Sequence, residues 1–367
     1  MDGLRVYYGW RIFLGERIDR MFRCVPYTEA IKDEWDGFAL AQGTVFHSSA
    51  FRQILLVSFG YTCRYHAVLN EQNRICALIP LVVGRNLGWK KAAVSLPFVN
   101  YTDICADSEE AFEYTVDALI QLKTKYQLGY IELRLKDQSL NRPSWSLNLH
   151  NHTFVLPLSD DEEQVLALSK SSNRNHVRKV YKNNWFTVSF DSKHLDGFHK
   201  VYVRRMKQLG SPAQDISFFR NFLLYLPGHA HLLAVLDNAN GDVVGGMLLL
   251  TSPANSTLYY PYGANLSEYN HKYLNNFMYW EAVRFGIRSG LKHLDLGRSQ
   301  TGSGTYKYKE QWGAKPEQLK YLIYDGGLNK ASAPDKESLS FFVELWKRTP
   351  AFITDRVGKR LIKYLLP

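Results

Sequence analysis

Residues 232–252 read LLAVLDNANGDVVGGMLLLTS, and residues 65–83 read YHAVLNEQNRICALIPLVV. Each joins two apolar, strand-like runs through a polar turn, built on Asn240-Gly241-Asp242 in the later copy, which is the pattern of an antiparallel hairpin. The segments after the two hairpins are also alike. After the first come SLPFVNY (95–101), the helical stretch SEEAFEYTVDALIQLKTKYQLG (108–129) and the strand YIELRL (130–135). After the second come LYYPYGA (258–264), YLNNFMYWEAVRFGIRSG (273–290) and KHLDLG (292–297). The copies are displaced by roughly 165 residues throughout, a regularity that points to tandem duplication of one α/β unit.

The helices are read from period. Phe112, Val116, Leu119 and Leu122 share one face, as Leu274, Phe277, Trp280 and Phe285 approximately do, with Gly129 and Gly290 in the position of C-terminal caps. Each unit then runs helix, hairpin, strand, helix, strand, which predicts an α/β fold with mixed sheets flanked by helices. The predicted divisions are 1–158, 159–330 and a basic tail, 331–367. SDDEEQVLALSKSSNRNHVRKVYKNN (159–184) opens the second unit, with Ser159 followed by acids at its helix start.

A content of 46% hydrophobic and 14% aromatic residues excludes a disordered chain, and a formal charge of +10 favours anionic partners. Cys24, Cys63, Cys76 and Cys105 show neither C-x-x-C spacing nor clustered histidines, so neither zinc nor a disulfide framework is expected. The N-terminus has no continuous apolar core, and no segment reaches the roughly 18 apolar residues of a spanning helix. A cytoplasmic protein is the expectation.

Residues 298–313, RSQTGSGTYKYKEQWG, come directly after the last strand of the second unit. Gly302 and Gly304 are too close for a Walker loop, and no G-x-G-x-x-G is present. Flexible glycines beside Arg298, Ser299, Lys307 and Lys309 suit an anion, whereas Tyr306, Tyr308 and Trp312 read as core before they read as ligand-stacking residues. Strand alternation would put the tyrosines and lysines on opposite faces, and a helical start fits as well. Arg298 lies at the C-terminal end of a strand, where open α/β sheets place ligands. Asp295 shares that edge or pairs with an arginine.

Arg174, Arg178 and Lys182 recur at i, i+4, i+8, so one helix face presents three cations, for a diphosphate or for solvent. Glu281 is a candidate general base or an i, i+3 partner of Arg284. Tyr262, before that helix, is grouped with the substrate-contacting residues. No G-x-S-x-G elbow or Cys-His pairing occurs, so positioning rather than a covalent nucleophile is expected. In the tail, Ile353, Val357, Leu361 and Tyr364 form one helical face near Arg356, Arg360 and Lys363. That face suits either an anionic lipid surface or packing on the protein.

The duplication, SSNRNHVRKVYKNNWFTV, FMYWEAVRFGIRSGLKHLDLGRS and GSGTYKYKEQWG together resemble the Fem-type aminoacyltransferases. The likeness is nearest to the FemAB-like proteins of bacterial exopolysaccharide and exosortase systems, and it extends from about Trp35 onward. It implies two tandem GNAT acyltransferase domains, with the active site in the second, and transfer of an acyl or aminoacyl group to an amine of a cell-envelope glycan or peptidoglycan-type precursor. The donor implied is aminoacyl-tRNA or, in relatives of the fold, acyl-CoA, with no tightly bound cofactor and no DNA partner. The acceptor implied is a phosphate-bearing sugar or lipid-linked precursor, consistent with peripheral contact at the inner membrane face through 338–367. Lys309 best matches a lysine at the Fem active site, and the role this implies for it is to hold the donor phosphate or to stabilise the developing oxyanion. The chain lacks the long Fem helical arm and the simple GNAT Gln/Arg-x-x-Gly-x-Gly/Ala loop, so the donor stays open between the two.

Overall fold

The computed structural model describes residues 21–85, 90–326 and 336–350, with Thr354, Val357, Gly358 and residues 361–364. Its first half runs β1 (Phe22–Pro26), α1 (Lys32–Gln42), α2 (Ser49–Phe59), β2 (Thr62–Asn70), β3 (Ile75–Arg85), β4 (Lys91–Val94), β5 (Cys105–Ala106), α3 (Glu109–Lys125), β6 (Tyr130–Leu135) and β7 (Ser146–Pro157). The second runs α4 (Glu162–Leu168), α5 (Ser171–Asn183), β8 (Phe186–Ser189), α6 (Leu195–Leu209), α7 (Ile216–Tyr225), β9 (Ala230–Asp237), β10 (Val243–Ser252), β11 (Thr257–Asn265), α8 (Leu274–Arg288), β12 (His293–Asp295), β13 (Ser299–Gln300), α9 (Gly304–Glu310) and β14 (Lys315–Tyr324). The tail contributes α10 (Lys336–Arg348).

Both hairpins form, β2 with β3 and β9 with β10. Even their irregularity repeats: the later strand of each carries one extra residue, between Ile75 and Ala77 and between Val243 and Gly245. The strand orders β1-β2-β3-β4-β6 and β8-β9-β10-β11-β12 are equivalent, each ending in a parallel pair that a helix, α3 or α8, connects.

The halves then exchange their closing strands. β7 comes after β6 in sequence but pairs with β12 and β14, while β14, which comes after β12, lies between β6 and β7. One 14-stranded mixed sheet results. On one face α1, α2, α6 and α7 cover a core shared by both halves, with Trp35, Phe51, Phe198, Phe218 and Phe222 buried in it. On the other, α3 covers the first half and α5 with α8 the second, over separate cores.

Two local expectations change. Gly290 takes the left-handed cap (φ +69°), but in α3 that conformation falls to Gln127 (φ 52°). Gly129 is instead held by its N–H to the Lys91 carbonyl at 2.7 Å. The opening of the second unit breaks in two at Ser169-Lys170, and its first helix is capped by Asp161 rather than Ser159. The tail packs on the protein where it is described: Trp346 and Ile362 are buried, and Tyr61 donates to the Lys363 carbonyl at 2.7 Å. Ile353, Arg356 and Arg360 of the predicted tail face lie outside the described residues.

His47 ties the turn after α1 to the segment before β5. Its Nδ1 accepts from the Thr44 N–H at 3.0 Å, so Nε2 carries the proton and donates to the Asp103 carbonyl at 3.0 Å. Burial holds the ring neutral, its pKa lowered from 6.5 to about 4. Below pH 6.5 the unfolded chain takes up a proton that the folded one refuses, so stability falls as pH drops toward 4. The expected loss is about 3 kcal/mol, measurable by urea unfolding at pH 7 and pH 4. His47→Gln should flatten that dependence.

Candidate active site

β11 and β12 run parallel for three residue pairs, from Thr257↔His293 to Tyr259↔Asp295. At that point β11 carries a bulge: Leu248 pairs with Tyr262 but Leu250 with Tyr259, leaving one residue of Tyr260-Pro261 outside the ladder. Proline is tolerated there because a bulge needs no N–H from it. The equivalent strand of the first half, β4, pairs with β3 only over Lys91–Val94 and ends before the position that corresponds to Tyr260-Pro261. Bulges of this kind re-aim backbone at sites, and here one sits where β12 ends.

Asp295, the last residue of β12, is buried. One carboxylate oxygen accepts from the Tyr101 hydroxyl at 2.7 Å, and the other from the Thr153 hydroxyl at 2.8 Å and the Gly297 N–H at 2.6 Å. Burial nevertheless lifts its pKa, against the pull of those donors and of Lys309. Lys309 is 6% exposed. Its ammonium donates to the carbonyls of Gly297 at 2.7 Å and Arg298 at 3.1 Å, which leaves one of its three donors, and it lies 5.7 Å from the Phe154 ring centre. Burial lowers its pKa from 10.5 to about 8; Asp295 opposes this and Arg298 adds to it.

The first half completes the site. Residues 98–102 are held through the Phe98 carbonyl by Tyr262 (3.0 Å), the Val99 carbonyl by Arg134 (3.0 Å) and the Asn100 carbonyl by Tyr321 (2.6 Å). That segment brings Tyr101 to Asp295 and Asn100 against Gly297, where a Cβ would come within 3.2 Å of the Asn100 amide nitrogen. Tyr101 and Tyr259 also line a polar cavity of about 440 Å³ between the halves, with Thr102, Asp103, Lys136 and Glu317. Lys136 bridges Glu317 at 2.9 Å and Asp137 at 3.1 Å. The Thr102 hydroxyl is buried with no hydrogen-bond partner.

The loop after β12 brings several expected residues together. Ser299 and Gln300 form the short strand β13, Gly302 (φ +76°) turns the chain, and Ser303 caps α9 by accepting from the Tyr306 N–H. Tyr306 and Lys309, three apart on α9, both reach Phe154, whereas Lys307 and Gly304 face solvent. The helical reading therefore holds over strand alternation. Exposed Arg298 donates to the Tyr321 hydroxyl at 3.1 Å, while the buried Ser299 hydroxyl has no partner.

Four other residues have structural partners. Tyr262 is core, stacked edge-on against Phe218 and Phe219, and acts on the site only by holding Phe98. Glu281 is bound by Tyr181 and, at 3.0 Å, by Arg284. It projects from a different side of α8 than Tyr279, which stacks on Trp312 beside the site. Arg174 donates to the Ser169 carbonyl at the end of α4, and exposed Arg178 pairs with Glu163 at 3.3 Å. The cationic face of α5 is thus partly spent on α4.

Residues 171–310 match the family model of an acetyltransferase (GNAT) domain. No curated protein matches the sequence. Among solved structures, FemX superposes with a TM-score of 0.67 at 14% identity, covering 82% of this chain and 97% of its own. The chain has the Fem-like tandem GNAT fold of acyltransferases. The C-terminal domain of a putative lysylphosphatidylglycerol synthetase from Agrobacterium fabrum is similar at TM-score 0.55 and 10% identity, over 81% of this chain and 92% of that one. A tandem GNAT protein from the clavulanic acid biosynthesis pathway gives 0.51 and 9%, over 82% and 98%.

Within this Fem-like fold, sequence reasoning placed Lys309 and Arg298 near the end of β12 and left Asp295 between two roles. Tyr101, Thr153 and Asn100 escaped it. The available signal was the duplication: a short apolar-aromatic segment, SLPFVNY, in the place where the second unit has LYYPYGA.

Proposed function

We propose that the chain transfers an acyl or aminoacyl group to an amine of a cell-envelope glycan or peptidoglycan-type precursor. The observation that carries this reading is the bulge of β11 at the end of β12, in the half that matches the GNAT domain. In such a transfer the amine attacks the carbonyl of an ester or thioester, the C–O or C–S bond breaks, and the amine's proton ends on the leaving oxygen or sulfur. Fixed donors at the developing oxyanion lower the barrier, and positioned backbone supplies them without reorganisation. Lys309 and Asp295 act by fixing residues 297–298 beside the bulge. The cavity lined by Asp103, Lys136 and Glu317 carries both signs of charge and suits a polar, amine-bearing acceptor.

A second reading is acyl-CoA-dependent N-acylation of an amino sugar in exopolysaccharide assembly, favoured by the acetyltransferase match. Thermal stabilisation with CoA, short and long acyl-CoAs, charged and uncharged tRNA and UDP-linked amino sugars, then mass spectrometry of the acceptor, separates the two. Mass gain with acyl-CoA alone selects the second; mass gain that requires aminoacyl-tRNA selects aminoacyl transfer. Salt-dependent RNA or lipid binding without any turnover would overturn both and leave a non-catalytic binding module.

A further inference from the structure

A cavity of about 530 Å³ lies on the flank of α6, away from the Asp295 cluster. Its walls are α6, residues 211–214, Trp346 of α10 and Thr354, and α10 closes over Gly210. Gly210 has φ +76°, and an added Cβ there would stand 2.5 Å from a Val343 methyl and 2.7 Å from the Val343 carbonyl. Only glycine lets α10 approach α6 so closely. Val203, Ala213 and Trp346 give the cavity an apolar interior. His199, Lys200, Arg204 and Lys207 also line it, and among the described residues no Asp or Glu does. Arg204 is shared with Glu268 at 2.8 Å and His199 with the Gln214 carbonyl at 3.0 Å, so Lys200 and Lys207 supply most of the available charge.

An apolar chamber rimmed by cations on one helix matches an amphiphile with an anionic head: methylene stems and Trp346 meet a hydrocarbon chain, and the ammonium groups meet a phosphate. We propose that this cavity takes the phosphate head and upper chain of an anionic membrane lipid, seating the face formed by α6 and α10 on a bilayer. No helix among the described residues is long and apolar enough to cross a membrane, so the contact is peripheral. It is independent of the transfer chemistry, since none of its lining residues belongs to the Asp295 cluster.

The test uses the full chain and sedimentation with phosphatidylcholine vesicles, with and without phosphatidylglycerol. Binding is expected only with phosphatidylglycerol, weakened at least tenfold by K200E/K207E and by the filling variant Ala213→Phe, which leaves the charge untouched. K179E/K182E, which removes the same charge from α5, should leave binding near wild type. Equal loss in both charge variants, with no effect of Ala213→Phe, overturns the proposal in favour of unspecific attraction by net charge. Competition by glycerol phosphate as effective as by vesicles also overturns it, because the chain would then contribute nothing. Circular dichroism of each variant confirms that the fold is retained.

Discussion

Asp295→Ala is expected to abolish transfer and to lower stability by about 4 kcal/mol, the scale of removing one partner from a buried charged network. The substitution strands the Tyr101 and Thr153 hydroxyls and the Gly297 N–H, all directed at one carboxylate, and it leaves the Lys309 ammonium without its nearest counter-charge. Domains are stable by only about 5–15 kcal/mol, so the variant should still fold, with a visibly lower urea midpoint. Stability alone does not account for the residue. In an ion pair that stabilises a protein, the carboxylate pKa falls and the lysine pKa rises; here burial drives Asp295 up and Lys309 down. Burial works against both charges, a combination found at functional sites as well as in structural networks. Asp295→Asn, of nearly the same shape, separates the roles: it should recover part of the stability and none of the activity. Wild-type turnover in Asp295→Asn would show that the carboxylate's charge is not needed to hold residues 297–298 for transfer.

Lys309→Met should reduce kcat/KM by at least a hundredfold, roughly 3 kcal/mol of transition-state stabilisation. Methionine keeps the packing on Phe154 but makes no bond to the carbonyls of Gly297 and Arg298, so the loop beside the bulge is no longer held. A second readout is pH. With a folded pKa of about 8 against 10.5 unfolded, the unfolded chain binds the extra proton between those values. This group therefore makes stability rise with pH from about 8 upward, with no contribution to the slope below. Urea titrations at pH 7.5 and 9 should show the rise in wild type and lack it in Lys309→Met. Combining Asp295→Ala with Lys309→Met should cost less than the sum of the two, because each removes a burden left by the other. Strict additivity would mean that the two residues do not share a site.

The duplication, the hairpins, the flanking helices and the position of the loop after β12 were legible in sequence because each rests on local information. Period 2 and period 3.6 expose which face of an element is apolar, and glycine or proline marks where it must turn. Lys309 was legible for the same reason, as part of a short motif between a strand and Trp312. Its surroundings were not: α9 turns it inward onto two backbone carbonyls rather than toward solvent. Glu281 and Arg174 show the opposite limit. Their spacing allowed a site, and neighbours from Tyr181 and α4 claimed them.

What the sequence alone determined is a repeated α/β unit and the glycine- and lysine-rich loop that follows the second copy's last strand. Only the tertiary structure decided that β7 and β14 trade places and that residues 98–102 of the first half reach Asp295 of the second. Strand exchange leaves no local mark, since β7 has the same alternation whichever half it completes. The choice is made by the total apolar surface that one continuous sheet can bury, and only the assembled chain defines that quantity.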